Sequence, residues 1–285
     1  MPPKISDLVG SNPSISSLPS VYMRLNEVLN DPYSSNADVG AVINDDPGLT
    51  ARLLRLVNSA FFGFPTRIDS ITQALSLVGT QQIHDLAIAT SVLKMFDDVP
   101  EDFLSMDSFW RHSMACGICA RLIATQRREP NVERLFVAGM LHDIGRLILC
   151  TEYSDGMRAA FEYSKESDVL LYDAERSVMG FDHAAVGRAL LEAWNLPKVM
   201  QEIVANHHQP AKAHHFPTEA AIIHVADITA HALLMGNGGE RFVPPLEPSA
   251  WEALQPMENL PLSVLDEIDQ QYNAAVKTIM LPVAA

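Results

Sequence analysis

Residues 132–150, VERLFVAGMLHDIGRLILC, decide how the rest of the chain is read. Leu135, Phe136, Met140, Leu141, Ile144, Leu147 and Ile148 recur at helical spacing with no period-2 alternation, which predicts one helix over Val132–Cys150. The pair His142-Asp143 interrupts an otherwise apolar run. A charged pair buried there costs several kcal/mol unless it is hydrogen-bonded or ligates an ion. The dipeptide alone decides little, because His84-Asp85 also occurs and is given no role.

Outward from this stretch the same helical period dominates. In the N-terminal direction, Ser20–Leu29 reads as a helix, and Asn36 caps a short one ending near Asn44. Asp46-Pro47 opens another, with proline in the first turn where its missing N–H is harmless. Ser70 caps Ile71–Val78, Gly79 ends it, and Thr80 caps Gln81–Phe96. The acidic segment Val99–Asp107, with Pro100, reads as a hinge. Helices are then expected over Ser108–Arg127, Ser154–Ser164, Leu170–Met179, His183–Trp194, Pro197–His207, Thr218–Met235 and Leu262–Met280. The expected fold class is all-α: an N-terminal multi-helix lobe (15–100) packed on a second helical lobe (104–235), with a C-terminal helical extension (236–285) that has the option of mediating a homodimer.

Composition narrows the function. Of 285 residues, 48% are hydrophobic, enough for a sizeable core. The net charge of −15 disfavours general nucleic-acid binding, without excluding a local basic patch. Three cysteines cannot form a disulfide framework, residues 1–10 carry no signal-peptide core, and no apolar run approaches the roughly 20 residues of a membrane span. A cytoplasmic location, away from membranes, is expected. Cys116 and Cys119 are spaced as Cys-x-x-Cys, but within a helix and outside any βαβ pattern, so redox chemistry is the weakest reading.

The metal reading rests on neighbours of the central pair. His112 lies in the helix before it, Asp182-His183 opens a later helix, with Gly187 one turn on, His207-His208 end the next, and Asp227 sits mid-helix among isoleucines and valine. Each alone is more often a capped or surface residue; together, on successive helices, they point to a cation. Imidazole and carboxylate donors suit Fe, Mn, Zn or Ni. The seven candidate ligands His112, His142, Asp143, His183, His207, His208 and Asp227 exceed the needs of one tetrahedral zinc, so a binuclear site bridged by Asp143 is expected. His224 and His231 flank Asp227 on one helical stripe, either orienting it or simply lining a half-exposed face. Arg146, one turn after His142, offers a planar fork for a phosphate but no transferable proton.

Read in order, His112, His142-Asp143 and Asp227 resemble the HD superfamily pattern, and His183 with His207-His208 resembles the two-metal HD-GYP arrangement. The fuller likeness is to the HDOD family, the HD-related output domain, over roughly residues 15–235. It is carried by Asp46-Pro47, by Val57-Asn58-Ser59-Ala60-Phe61-Phe62-Gly63, by Ile68-Asp69-Ser70-Ile71, by Gly139–Gly145, by Asp182–Gly187, by Trp194–Pro197 and by His207-His208-Gln209-Pro210. The resemblance implies an all-helical bacterial signal-transduction protein that acts by binding signalling proteins or a nucleotide second messenger. Its alternative is a metal-dependent phosphohydrolase. Many HDOD members lack metal ligands, whereas this chain keeps the set; it lacks Gly-Tyr-Pro, has Gln209 where HD-GYP enzymes favour Glu, and has Arg146 for their lysine.

Overall fold

The computed structural model describes residues 2–12, 18–59, 61–96, 99, 104–255 and 260–280. Among these no strand forms, and the fold is all-α. No helix is long and apolar enough to cross a membrane. Two units emerge: Leu18–Lys94 with Leu262–Ala285, and Met1–Ser17 with Met95–Pro261. The segment read as one extension, 236–285, is thus divided between them. Pro100, the centre of the expected hinge, lies outside the described residues.

In the first unit local capping chemistry sets the helix starts. The order is α1 (Ile5–Gly10, which packs with the second unit), α2 (Ser20–Asn30), α3 (Asn36–Asn44), α4 (Pro47–Val57), α5 (Ile71–Val78) and α6 (Thr80–Val92). The cap of α3 is Ser35, not Asn36: Ser35 and Asp38 form a reciprocal capping box. Asp46 accepts from Leu49 N at 2.9 Å and Ser70 from Gln73 N at 3.2 Å. Gly79, at φ +104°, joins α5 to α6, a conformation that side chains resist, and Thr80 becomes the first helical residue rather than the cap. A 3₁₀ turn, Leu93–Phe96, follows α6. The expected last helix is α16 (Leu260–Ala275), continued by a π-helical turn, Val276–Met280.

The second unit is built around α7 (Met106–Arg127), buried on most sides from Phe109 to Ala124. It packs against α8 (Val132–Leu141) and α14 (Pro217–Ala232). Backbones touch where Gly139 meets α7: a Cβ there would lie 2.6 Å from Gly117 Cα. The stretch expected as one helix is two, α8 and α9 (Ile144–Glu152), with His142-Asp143 at the junction. Asp143 leaves the helical path (φ −97°, ψ 5°), since a buried carboxylate inside a continuous apolar helix would have no partner. Next come α10 (Ser154–Ser167), α11 (Leu171–Met179), α12 (His183–Ala193), α13 (Lys198–Asn206) and, after α14, α15 (Pro248–Ala253). A Cβ at Gly187 would press on Val204 at 2.8 Å, so glycine lets α12 sit close to its neighbours, beside Gly145 of α9.

Candidate metal centre

Each candidate ligand reaches one buried space from a different element of the second unit. His112 comes from α7, the doublet from the α8–α9 junction, His183 from the first turn of α12, His207-His208 from the end of α13, and Asp227 from α14. Asp182 caps α12, accepting from Ala185 N at 2.9 Å while Arg176 donates to it at 2.7 Å, and so fixes the turn that carries His183.

The donors form three overlapping groups, each with its ligand atoms within 4.8 Å of one another: Asp143 with His183, His207 and His208, His112 with Asp227 and His231, and His112 with His142 and Asp143. Asp143 Oδ1 lies 2.9 Å from His183 Nε2 and 3.7 Å from His207 Nε2, while its Oδ2 faces His142 Nε2 at 3.6 Å. Asp227 Oδ1 is 3.1 Å from His112 Nε2, 3.3 Å from His231 Nε2 and 3.5 Å from His142 Nε2. All seven expected residues are brought together. His231, read as an orienting partner or a surface residue, stands among the donors.

Tautomers are set from behind. His142 Nδ1–H donates to Gly139 O at 2.7 Å, His207 Nδ1–H to Val204 O at 2.8 Å, and His183 Nδ1–H to the Glu175 carboxylate at 2.6 Å. Each leaves an Nε2 lone pair facing inward, the arrangement a metal ligand needs. The inward atoms lack aligned hydrogen-bond partners: Nε2 of His112, His142 and His207, and Oδ1 of Asp143 and Asp227. Buried polar atoms are rarely left so, and five converging on one space form a donor set of the kind that suits a cation. His183 Nε2 and Asp143 Oδ1, both acceptors, repel at 2.9 Å unless a proton or cation lies between them.

Without a cation, protons take that place. Burial opposes a charge on His183, as does Arg146, yet the carboxylates of Glu175 and Asp143 hold its pKa up at about 9. Burial and the charges of His142 and His183 push His207 down to about 3. Asp143 stays ionised against burial because Arg146, His142 and His183 surround it, and Asp227 likewise against burial through His112, His142 and His231.

Arg146, read as a fork for a phosphate, is 2% exposed. Its Nη1 donates to Asp143 at 2.6 Å and to Gly238 O at 2.6 Å, and its Nε lies 3.7 Å from Glu175. It braces the shared carboxylate instead of facing solvent. His224 hydrogen-bonds elsewhere: its Nδ1–H donates to His207 O at 2.8 Å, and its Nε2 accepts from Glu247 N at 3.0 Å. Cys116 touches His142, and burial raises its thiol pKa, as it does for Cys119, so neither is a ready thiolate.

Sequence reasoning missed Glu175 and Gly238. Glu175 is an ordinary acidic residue of an amphipathic helix until its contact with His183 is known. Gly238 belongs to a strap laid over the cluster: Asn237 N donates to Ser108 O at 3.1 Å, and a Cβ on Gly238 would stand 2.7 Å from both Asp143 Oδ2 and Arg146 Nη1. The only signal was a glycine-rich loop.

The profile of the HDOD domain family matches residues 15–210. An uncharacterised protein of Treponema pallidum (strain Nichols) is 24% identical over 195 residues, 68% of this chain and 37% of that protein, so the chain spans about 37% of that curated relative. Among solved structures, an HDOD domain protein of unknown function from Geobacter sulfurreducens superposes with a TM-score of 0.77 at 24% identity, covering 93% of each chain. A candidate metal-dependent phosphohydrolase from Shewanella amazonensis SB2B superposes with a TM-score of 0.63 at 22% identity, covering 92% of this chain and 91% of that one. At these identities the structures establish a shared fold.

Proposed function

The chain belongs to the HDOD domain family, and from that premise we propose that it is a bacterial, cytoplasmic signal-transduction module whose His/Asp cluster holds divalent metal as a structural fastening, and which acts by binding a signalling protein or a nucleotide. The observation that carries this reading is closure. His112, His142, His183 and His207 are fully buried and the remaining donors are at most 8% exposed, beneath the Gly236–Gly239 strap. A cation there would tie α7, the α8–α9 junction, α12, the end of α13 and α14 to one point, and metal binding of this kind is folding energy. Donor chemistry favours Fe, Mn, Zn or Ni over Ca or Mg, because imidazoles outnumber carboxylates.

One observation favours the alternative of a phosphohydrolase. Asp143 turns Oδ1 towards His183 and Oδ2 towards His142, as a bridge in a binuclear centre would. Two cations so held would supply Lewis acidity and an activated water for phosphoester hydrolysis. In either case Arg146 keeps Asp143 ionised and oriented, Glu175 fixes the His183 ring, and the strap excludes bulk water.

Metal analysis of protein purified without a histidine tag, followed by melting before and after chelation, tests the fastening. The expected result is bound transition metal and a melting temperature roughly 10 °C lower after removal, taking about 4 kcal/mol of linkage for a chain of this size. Unchanged melting after complete removal would defeat a structural role. Assays with bis(p-nitrophenyl) phosphate and cyclic dinucleotides, with Mn or Fe supplied, separate the readings: sustained turnover that disappears in Asp143→Asn would assign the enzyme.

A further inference from the structure

Asn58, in one of the stretches that carry the family likeness, takes no part in the metal cluster. In the first unit Asn58 acts as a clamp. Its amide donates to Ile68 O at 2.7 Å and to Leu54 O at 2.8 Å, and its Oδ1 accepts from Ile68 N at 2.7 Å. This pins the loop ahead of α5 to the end of α4. A cleft of about 770 Å³ opens beside the clamp, between α4, this loop and the C-terminal π-turn. None of its lining residues belongs to the unit that holds the metal donors.

Charge in this cleft runs against the rest of the chain. The first unit carries six Lys/Arg and ten Asp/Glu, and three of the six cations, Arg55, Arg67 and Lys277, line the cleft against one carboxylate, Asp69. Arg67 and Asp69 pair at 3.1 Å, but they are 84% and 76% exposed, so solvent screens the bond and Arg67 is readily recruited elsewhere. Arg55 Nε reaches only its own helix, Ala51 O at 3.4 Å, and neither Arg55 nor Lys277 forms an ion pair among the described residues. Leu54, Ile68 and the half-exposed ring of Phe64 supply an apolar wall. Clustered cations beside an aromatic face suit a ligand with an anionic end and a flat apolar end.

We propose that this cleft binds a phosphorylated small molecule of nucleotide size, its phosphates held by Arg55, Arg67 and Lys277 and its base laid against Phe64. The volume falls within the range of small-ligand sites. A nucleic-acid strand is disfavoured, since a chain of net charge −15 repels a polyanion extending past the cleft. The site requires nothing of the metal cluster and stands whether or not that cluster is catalytic.

Isothermal titration of the full chain with ADP, inorganic pyrophosphate, adenosine and a single-stranded oligonucleotide tests it, with and without EDTA so that chelation at the His/Asp cluster is told apart. Saturable binding of ADP and pyrophosphate is expected in both buffers, with adenosine roughly tenfold or more weaker than ADP. Lys277→Gln, at an exposed position that leaves the fold intact, should weaken ADP by roughly tenfold, and R55Q/K277Q by roughly a hundredfold, with circular dichroism unchanged. The proposal is overturned if ADP and pyrophosphate fail to saturate, if R55Q/K277Q binds ADP like the parent, if EDTA abolishes binding, or if the oligonucleotide binds more tightly than ADP.

Discussion

His84-Asp85 and His142-Asp143 are the same dipeptide, both buried, and their surroundings give them opposite characters. In α6 every inward group of the first pair meets a protein partner. His84 Nε2–H donates to Asn26 at 2.9 Å, its Nδ1 faces Gln81 at 3.4 Å, Gln81 donates to Asp85 at 2.9 Å, and the Tyr22 ring lies 4.8 Å from the imidazole. At the α8–α9 junction, His142 satisfies only the nitrogen that points away, leaving Nε2 and Asp143 Oδ1 unpartnered among other donors. A buried His-Asp pair is therefore neither structural nor metal-binding in itself. What distinguishes the two is whether the remaining lone pairs are answered by amides or by more lone pairs.

Asp143→Ala should break the comparison most severely. It strands Arg146 in the interior and removes the carboxylate shared by two of the three donor groups, so a loss of about 3–5 kcal/mol in denaturant unfolding is expected, together with loss of metal by mass spectrometry. Retention of metal in this variant would show that Asp143 resembles Asp85 after all.

A pH series sharpens the contrast next. In metal-free protein His183 is held up to about 9, so its contribution to folding is full below the ordinary imidazole value and fades as pH rises through about 9. His207, pushed down to about 3, has the opposite sign and removes stability as pH falls below the ordinary value. Chelated protein should thus be most stable near pH 6–7 on these two groups, by about the ordinary histidine pKa. In loaded protein the cation replaces the His183 proton, so the alkaline loss seen in urea melts of the chelated form should vanish.

The strap offers a subtler test. Gly238→Ala should cost about 1–3 kcal/mol, the range for overpacking, because its methyl group displaces the loop from Asp143 and Arg146. Faster release of metal to a chelator, and faster amide exchange at residues 237–240, are the expected readouts; release at the parental rate would show that the strap does not guard the cluster. The smallest effect belongs to the other doublet. His84→Gln should lower stability by about 1 kcal/mol through the lost bond to Asn26, with metal content unchanged.

Much of this was legible in the chain. Caps at Asp46, Ser70 and Asp182, and glycine at 79, are local signals, because a side chain that answers the first free N–H groups of a helix sits within three residues of them. That the seven candidates would need partners was legible for a related reason: imidazoles and carboxylates in apolar helical stretches are costly to bury alone, and their recurrence on successive helices, not any one of them, pointed to a shared site. The break between α8 and α9 was not, since the periodicity of residues 132–150 is continuous and only the pull of partners outside that stretch turns Asp143 aside.

By itself, then, the order of amino acids determined an all-helical chain and which residues had to find company in its interior, because helical period and capping act over a few neighbours. Tertiary structure alone decided who that company is: amides for His84, converging donors for His142, Asp143 and Gly238 for Arg146, and Glu175 behind His183. Those choices join residues from 3 to 92 positions apart, and no local rule reaches across the longer separations, Glu175 to His183, Asn26 to His84 and Arg146 to Gly238.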